Sequence, residues 1–311
     1  MKSNNQSSRK KSVTFQSDIV IDEEGDIFVS FLGSDLLHLV EDKVVKTKQE
    51  RHPQSLILPT VKDLNHAEYK NCKVCPKSCG FDRISKTHPL CGDYKLRVSN
   101  YGISYGDEKV LSENGGSGII FLSGCPLTCP SCINKEKVHS QGAETSPQQL
   151  YELIYELREK NVANIQILSP TVHFPVLEQI LKPLKDSGFD IPIAFKTSGY
   201  DQPEQIKRFK ELVDIYIPDL KPCFNLTWSK KAKVGNDYSS LFIESINEMY
   251  KQVGAPQFDS SGSLIKGILI RYVKPSFVSS DQNHQIMTFL ETFKDKAHIS
   301  ILNNYVNLES L

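Results

Sequence analysis

Apolar runs and amphipathic stretches alternate regularly along the chain from residue 115 onward. Short runs of branched and aromatic residues are typical of buried strands, whereas apolar residues three and four positions apart are typical of helices. These patterns predict six strands, at residues 118–122, 165–168, 191–195, 213–217, 267–273 and 298–302. In the stretches between these strands, one helix is predicted to begin at Ser146-Pro147. Further helices are predicted at residues 176–184, 203–212, 238–253 and 280–294. Six β–α alternations with no evident hairpin after residue 115 predict a parallel α/β structure.

The N-terminal part has a different pattern. Residues 1–12 are polar and basic, which predicts a disordered tail. The apolar runs at residues 18–21 and 27–31 flank an acidic, Gly-containing loop and predict a β-hairpin. A short helix capped at residues 34–35 follows, and residues 43–65 are polar with two prolines, which predicts a linker. A small packing element is the default interpretation of this appendage, and docking of a partner protein is the alternative.

Composition and charge exclude several classes of protein. The 37 basic residues equal the 37 acidic ones, so no global field attracts nucleic acid or an anionic membrane. No apolar run is long enough to span a membrane, and the basic N-terminus lacks the apolar segment of a secretory signal. Eight cysteines without an export signal indicate metal ligation in a reducing cytoplasm.

Four of the cysteines, Cys72, Cys75, Cys79 and Cys91, lie in a segment that we call the prelude, residues 66–100. Their spacing, with glycine after two of them, predicts a metal site, because glycine lets the backbone fold tightly around the sulfurs. A zinc ion with four thiolates and a four-cysteine [4Fe-4S] cluster both fit. His88 lies in the same segment, either as a substitute ligand or as a surface histidine.

Three further cysteines, Cys125, Cys129 and Cys132, have C-x₃-C-x₂-C spacing directly after the first predicted strand. The odd local count fits neither a disulfide pair nor a four-ligand zinc site. Three closely spaced thiolates suit three irons of a [4Fe-4S] cube. The fourth iron then lacks a protein ligand and is open to a substrate or cofactor.

Polar residues also collect at the ends of the other predicted strands. Strand two ends in Ser169-Pro170-Thr171, strand three in residues 196–200, strand four in residues 218–221 and strand six in residues 303–305, while Arg271 lies in strand five. In α/β barrels the chemistry collects at the carboxyl ends of the strands. We therefore expect one polar site along this rim.

The three-cysteine spacing resembles the signature of the radical S-adenosylmethionine (SAM) superfamily. The rim stretches, Ser-Pro-Thr, Thr-Ser-Gly-Tyr and Asp-x-Lys, resemble an uncharacterised iron–sulfur group among the homologues of pyruvate formate-lyase activating enzyme. The resemblance covers roughly residues 70–307. It implies a partial (β/α)6 radical SAM barrel over residues 101–311. We expect the prelude, residues 66–100, to be a four-cysteine metal knot. Residues 1–65 are then the disordered tail, the small β/α appendage and the linker.

The same resemblance implies an enzyme that holds a [4Fe-4S] cluster and SAM. Such an oxidoreductase reductively cleaves SAM to a 5′-deoxyadenosyl radical, which abstracts hydrogen from a substrate, with a glycyl-radical-type protein as one candidate. A one-electron donor such as a flavodoxin or ferredoxin is the implied partner, and neither nucleic acid nor a membrane is expected. The alternatives are a small-molecule substrate or another protein modification, and a non-catalytic iron–sulfur or zinc protein that docks a partner.

Candidate roles for the rim residues also follow from the resemblance. Lys221 is expected to bind the SAM carboxylate, and Asp219 its amino group or ribose. Arg271 either contacts SAM or braces Asp219. The candidate hydroxyl contacts to the methionine or ribose portions are Ser169, Thr171, Thr197 and Ser198. The structural alternative is a plain Asp219–Lys221 ion pair and an ordinary turn at residues 197–199.

Three features depart from the family pattern. Ser131 stands where an aromatic residue usually packs on the adenine, which should weaken SAM binding by roughly 0.5–1.5 kcal/mol. The Gly-Gly-Glu stretch that commonly follows strand two is replaced by Ser169-Pro170-Thr171. Cys223 has no partner in the pattern and is either a reactive thiol at the site or a buried, inert one.

Overall fold

The computed structural model describes the backbone of two short strands, β1 (Ile19–Ile21) and β2 (Ile27–Val29), and residues 58–302 apart from residues 62, 107, 140–141 and 236. Strands β1 and β2 pair antiparallel, as predicted for the hairpin. The predicted tail, the capped short helix, most of the linker and the polar end of the last strand, residues 303–305, lie outside the described residues.

The rest of the chain is a mixed α/β structure around one large sheet. Its strands are β3 (Arg97–Ser104), β4 (Ser117–Leu122), β5 (Ala143–Glu144), β6 (Asn164–Leu168), β7 (Ile193–Thr197), β8 (Ile215–Pro218), β9 (Gln257–Phe258), β10 (Leu264–Val273) and β11 (His298–Leu302). They are ordered β11-β10-β8-β7-β6-β4-β3-β5, and β9 pairs with β10. Strands β4, β6, β7, β8, β10 and β11 are mutually parallel and neighbour one another in chain order. The six predicted strands are these six, so the parallel α/β prediction is confirmed for them.

The α-helices lie between the strands. They are α1 (Lys109–Ser112), α2 (Lys135–His139), α3 (Pro147–Glu159), α4 (Phe174–Asp186), α5 (Pro203–Ile206), α6 (Leu226–Ala232), α7 (Tyr238–Val253) and α8 (Ser280–Glu291). Single 3-10 turns occupy Ala67–Tyr69, Thr171–His173 and Lys207–Phe209. Among the described helices, none is long and apolar enough to cross a membrane.

Sequence features set the start of α3. The Ser146 hydroxyl accepts a hydrogen bond from the Gln149 N–H, and the Gln149 side chain accepts one from the Ser146 N–H. This capping box satisfies two N–H groups that the helix leaves free, and Pro147 suits the first turn because it has no N–H to satisfy. The predicted start at Ser146 and Pro147 is confirmed.

Alternate residues of the parallel strands face opposite sides of the sheet. On one side, Phe195 and Tyr216 belong to the main core together with residues of α4 and α7. On the other side, Ile215, Ile217 and Leu269 pack with Leu111 of α1. Leu111 is fully buried and contributes about 1.5–3 kcal/mol by its burial. A short helix thus covers the sheet face that the longer helices leave free.

Two predictions about this region were wrong. Strand β9 pairs antiparallel with the start of β10, so the described chain does contain a hairpin after residue 115. The turn is stabilised by the Asp259 carboxylate, which accepts hydrogen bonds from the N–H groups of Ser261 and Ser263. The predicted helix over residues 203–212 ends early, because α5 tightens into the 3-10 turn Lys207–Phe209 and Glu211 then has a φ of 68°.

Strand β3 pairs antiparallel with β4, and β5 pairs with the first residues of β3. Residues 97–104 were not predicted as a strand. Strand β3 crosses residue 100, where we placed the end of the prelude, and the three predicted parts of the chain stay predictions.

Candidate functional site

The loop that carries the three cysteines, Gly124–Cys132, begins one residue after β4; we call it the cluster loop. Gly124 has a φ of 102°, and a Cβ atom there would lie 2.8 Å from the Cys91 carbonyl oxygen. Only glycine therefore allows this close approach of the prelude backbone. The Cys125 N–H donates to the Leu90 carbonyl at 3.1 Å, and the Ser169 hydroxyl donates to the Gly124 carbonyl at 2.6 Å. The prelude and the loop after β6 thus hold the start of the cluster loop.

The far side of the cluster loop rests on the end of α6. The Thr128 hydroxyl donates to the Lys231 carbonyl at 2.6 Å, and the Thr128 N–H donates to the Ala232 carbonyl at 3.2 Å. These carbonyls lie in the last turn of a helix, where they have no partner within the helix. The α6 helix was not predicted, because its sequence is short and largely polar.

The three cysteines of the cluster loop are free thiols that lie close to one another. Burial, together with the neighbouring Cys129 and Cys132, raises the pKa of Cys125 to about 12. Burial also raises the pKa of Cys129 to about 11 and that of Cys132, while Lys221 acts in the opposite direction on both. Backbone N–H groups of Leu127 and Asn134 hydrogen-bond the sulfurs of Cys125 and Cys132 and favour the thiolate forms.

Three neighbouring thiols match the number of protein ligands that the predicted cluster takes. Among the described residues, no three or more His, Cys, Asp or Glu side chains are grouped so that they could hold a metal ion. Each thiolate of a [4Fe-4S] cube binds a different iron, so its ligands lie farther apart than the ligands of one ion. Neighbouring free thiols with N–H groups aimed at their sulfurs therefore fit the cube that the sequence predicts.

A chain of charged groups leads from the cluster loop into the sheet. The Lys221 Nζ atom lies 3.3 Å from Asp219 Oδ2, and the Arg271 Nη1 atom lies 3.5 Å from Asp219 Oδ1. Arg271 Nε is 2.7 Å from Glu108 Oε1, and the Ser300 hydroxyl donates to Glu108 Oε2 at 2.6 Å. Asp219 and Arg271 also pair through a parallel backbone bridge between the strands β8 and β10. The predicted contact between Arg271 and Asp219 is therefore present.

The charges of this chain reinforce one another. Burial tends to raise the pKa of Asp219, but Lys221, Arg271 and Lys196 outweigh it, and the pKa lies below its usual value. Burial tends to lower the pKa of Lys221, but Asp219 and the sulfurs of Cys129 and Cys132 outweigh it, and the pKa lies above its usual value. Lys221 is therefore a cation that lies within electrostatic reach of two cluster-loop cysteines. Its side chain retains 26% exposure, so an anionic ligand can reach it.

Tyr238, the first residue of α7, joins the ends of two strands. Its hydroxyl donates to the Ser198 carbonyl at 2.8 Å and accepts from the Lys221 N–H at 3.1 Å. Gly199, with a φ of 66°, lies so close to Phe242 that a Cβ atom would stand 2.5 Å from its ring. These contacts fix the stretch after β7 relative to the Asp-x-Lys stretch after β8.

The four candidate hydroxyl residues have different surroundings. Thr171 is buried and donates to Asp201 Oδ1 at 2.7 Å, and the Thr197 hydroxyl accepts from the Gly199 N–H at 3.1 Å. Ser169, with a φ of 58°, is bonded to Gly124. The Ser198 hydroxyl is buried and has no hydrogen-bond partner in the described part of the chain. Of the four, Ser198 is the one with a polar atom left to satisfy, and the SAM contacts of all four stay predictions.

The four cysteines of the prelude are also free thiols. Burial raises the pKa of Cys75 and raises that of Cys91 to about 12. In each case two or more other prelude cysteines are close enough to contribute to this rise. The Gln202 amide after β7 donates to the Cys75 carbonyl at 2.8 Å, and the Lys77 ammonium donates to the Pro126 carbonyl in the cluster loop. The prelude is thus fastened to the rim that carries the cluster loop.

His88 is half-buried, and one nitrogen of its ring is occupied by hydrogen bonds within the prelude. Its Nδ1 atom accepts hydrogen bonds from the N–H groups of Leu90 and Cys91, both at 3.2 Å, and its ring packs edge-on against Phe81. Burial and the nearby Arg83 and Lys77 lower its pKa. His88 therefore shapes the turn that brings Cys91 to Gly124.

The remaining predicted residues lie as follows. Cys223 packs partly buried against the main core, and burial raises its pKa to about 12, which is typical of an unreactive thiol. Ser131 is exposed in the cluster loop. Glu108, Arg83 and Tyr238 were missed by the sequence prediction.

Comparison with known proteins agrees with this geometry. Residues 119–221 match the family model of the radical SAM superfamily, from the second half of β4 to Lys221. The chain is also 28% identical over 186 residues to uncharacterized protein MJ0674 of Methanocaldococcus jannaschii, which covers 56% of this chain and 52% of that protein. The chain therefore spans about half the length of this relative. The matched segment contains all three cysteines of the cluster loop, and these findings support the radical SAM superfamily as the family of this chain.

Proposed function

We propose that the chain is a radical SAM enzyme whose [4Fe-4S] cluster is held by Cys125, Cys129 and Cys132. The observation that carries this proposal is the place of Lys221, a partly exposed cation within electrostatic reach of the Cys129 and Cys132 sulfurs and paired with Asp219. A metal-bound thiolate loop with a cation at its edge is suited to a ligand that carries a carboxylate. A bound cluster with SAM supplies one-electron cleavage of the sulfonium to a 5′-deoxyadenosyl radical.

The chain's own residues divide the work of binding. Lys221 is suited to the carboxylate of the methionine portion of SAM, because it is a charged donor that keeps partial exposure. Asp219, ionised at neutral pH and held by Arg271, is suited to the ammonium or the ribose hydroxyls. The unsatisfied Ser198 hydroxyl is a further donor or acceptor on the same rim. The six parallel strands in chain order suit the partial barrel that we expected, with α1 covering its inner face.

The prelude is proposed as a second metal site with the ligands Cys72, Cys75, Cys79 and Cys91. Its thiols neighbour one another, and both a zinc ion with four thiolates and a second [4Fe-4S] cluster are candidates for the site. We keep a glycyl-radical-type protein as the candidate substrate class, and a flavodoxin or ferredoxin as the electron donor. The proximity of the prelude to Gly124 and Pro126 makes it part of the surface that such a partner would meet.

The proposal is tested by electron paramagnetic resonance on anaerobically reconstituted, dithionite-reduced protein, with and without SAM. We expect a [4Fe-4S]⁺ signal that changes on addition of SAM, together with formation of 5′-deoxyadenosine. Cys129→Ala should abolish both results, whereas Cys223→Ala, a thiol outside the cluster loop, should retain them. SAM cleavage in Cys129→Ala would contradict the ligand assignment. A signal that is indifferent to SAM would favour a non-catalytic iron–sulfur protein instead.

A further inference from the structure

Arg83 is a cation in the interior of the prelude. Its side chain is 1% exposed. The guanidinium donates to the carbonyls of Asp93 at 2.6 Å, Val172 at 2.8 Å, Cys91 at 3.0 Å and Gly92 at 3.3 Å. The face of the Tyr69 ring covers it, with 4.6 Å between Cζ and the ring centroid.

This cation has no acidic partner in the part of the chain that the structure describes. All of its hydrogen bonds go to backbone carbonyls, and the Asp93 carboxylate is instead bonded to Arg97, at 2.9 Å from Nη2 to Oδ2. A buried charge is costly unless an opposite charge compensates it, and the other buried arginines, Arg158 and Arg271, each have a carboxylate. Among the described residues, no negative charge therefore compensates the buried charge of Arg83.

The thiols of the prelude lie where that charge is needed. Arg83 bonds the Cys91 carbonyl directly, and its own N–H donates to the Tyr69 carbonyl at 2.8 Å, at the start of the segment that carries the other three cysteines. Within that segment the Cys72 N–H donates to the Phe81 carbonyl and the Gly80 N–H donates to the Cys72 carbonyl. The segment thus closes on itself next to the guanidinium.

We propose that Arg83 is the positioning residue that compensates the negative charge of a metal–thiolate centre at Cys72, Cys75, Cys79 and Cys91. Four thiolates outweigh the two positive charges of a zinc ion or of an oxidised cube, so either centre is an anion. Arg83 holds the carbonyls around Cys91 and places its positive charge beside that anion. Because it also bonds Val172 after β6, the loaded centre is linked to the rim of the sheet. This inference rests on the proposed metal site of the prelude and not on SAM chemistry.

The test uses the full chain with Cys125, Cys129 and Cys132 all replaced by alanine, so that metal binds only at the prelude. The probes are Co²⁺, followed by its thiolate charge-transfer absorption and by chelator competition, and iron with sulfide, followed by iron content and by the reduction potential. We expect Arg83→Gln to weaken metal binding by about 10- to 100-fold, as is usual for groups that support metal ligands. Arg83→Lys, which keeps the charge, should stay within about threefold of the parent. For an iron-loaded centre, Arg83→Gln should lower the reduction potential, because the reduced centre carries the greater negative charge.

The matched control is Arg158→Gln on α3, which removes another mostly buried guanidinium, but one that is paired with a carboxylate, that of Asp190. It should leave metal affinity unchanged, so that a general loss of stability is separated from a loss of charge. Equal weakening by Arg83→Lys and Arg83→Gln would show that hydrogen bonding alone matters and would overturn the proposal, as would metal binding unaffected by Arg83→Gln. No metal uptake by the parent would also overturn it, whatever SAM cleavage the unmodified chain performs.

Should Arg83→Gln fail to fold, hydrogen exchange on the parent decides. Metal loading should slow amide exchange over residues 88–93, which include the three residues Cys91, Gly92 and Asp93 whose carbonyls Arg83 bonds, and should leave α3 unchanged. Exchange over residues 88–93 that is the same with and without metal would overturn the proposal.

Discussion

Glu108 and Arg271, 163 residues apart in the chain, form a buried ion pair with 2.7 Å between Oε1 and Nε. The pair joins the residue before α1 to the carboxyl-terminal part of β10, and the Ser300 hydroxyl on β11 donates to the second carboxylate oxygen. Arg271 also contacts Asp219, which pairs with Lys221. Glu108 therefore orients this chain of charged side chains from the end opposite to Lys221. Glu108 is therefore a positioning residue for the rim.

Loss of Glu108 should destabilise the fold. We expect Glu108→Ala to lower the free energy of unfolding by about 3–5 kcal/mol, because it removes the carboxylate that lies 2.7 Å from the buried Arg271 guanidinium. Glu108→Gln keeps hydrogen-bonding oxygen and nitrogen atoms and should cost less. Glu159→Ala, which removes the 55% exposed partner of Arg158, is the control and should cost under about 1 kcal/mol. Denaturant unfolding measures all three, and equal losses for Glu108→Ala and Glu159→Ala would contradict the assignment.

Because of His173, the free energy of unfolding should decrease as the pH is lowered. Burial, assisted by Arg83, lowers its pKa to about 4, and its Nε2 atom lies 2.6 Å from the Ser123 carbonyl, so the neutral ring donates there. The unfolded chain binds the proton at an ordinary pKa near 6.5, so stability is fully present above about pH 6.5 and decreases as the pH falls towards 4. The contribution over this window is on the order of 3 kcal/mol.

The measurement for His173 is the free energy of unfolding of the metal-free chain, under thiol reductant, at several pH values between 4 and 7. Other groups also titrate in this window, so the comparison is with His173→Gln, whose amide can donate to Ser123 but does not titrate. In His173→Gln, the free energy of unfolding should depend less steeply on pH, because the contribution of His173 is gone. Parallel curves for the two chains would refute the assignment of a neutral buried histidine.

Crowding at Gly199 predicts that alanine costs more stability there than at Gly188, a glycine of similar backbone conformation. Gly199 and Gly188 have φ values of 66° and 80°, but a Cβ atom meets the Phe242 ring at 2.5 Å in the first case and no atom within 4 Å in the second. Gly188→Ala should cost about 1 kcal/mol through the backbone alone. Gly199→Ala should cost about 1–3 kcal/mol more, because Phe242 and Tyr238 must move. Thermal or denaturant unfolding of both variants checks this, and similar losses would show that Phe242 yields freely.

An aromatic residue at position 131 should improve SAM binding. Ser131 is exposed, so a larger side chain is tolerated there. Ser131→Tyr should tighten SAM binding by roughly 2- to 12-fold, which corresponds to about 0.5–1.5 kcal/mol for an added ring contact. Ser131→Leu supplies apolar area without a ring and should gain less. The measurement is SAM titration of the reconstituted cluster by electron paramagnetic resonance, and a weaker affinity for Ser131→Tyr would mean that the adenine lies elsewhere.

Local patterns were sufficient for much of the fold. The apolar runs at Ser117–Leu122 and His298–Leu302 predicted their strands to within one residue, and the Ser146-Pro147 pair predicted the start of α3. Strand β3 was missed because Arg97–Ser104 mixes polar residues and glycine, and its extended conformation depends on pairing with β4. Tertiary pairing overrides weak strand propensity in such segments.

The chemistry of the site was predictable only where residues lie close in sequence. Cys125, Cys129 and Cys132 form a local pattern, and so do Asp219 and Lys221. Glu108 and Arg83 each lie in a polar stretch of sequence that is typical of the protein surface. Their burial results from contacts with residues far along the chain, Arg271 for Glu108 and Val172 for Arg83. No local pattern marks a charge that is buried by distant contacts.

The hydrogen bond from the Cys125 N–H to the Leu90 carbonyl has a consequence for assembly of the protein. Synthesis from the N-terminus brings residues 72–91 off the ribosome before the cluster loop, and the strands β6, β7 and β8 follow later. The cluster loop and the Cys91 turn take their final positions together, because Gly124 lies directly on the Cys91 carbonyl. The backbone of the cysteines that are made first therefore forms part of the surface on which the later ones are arranged.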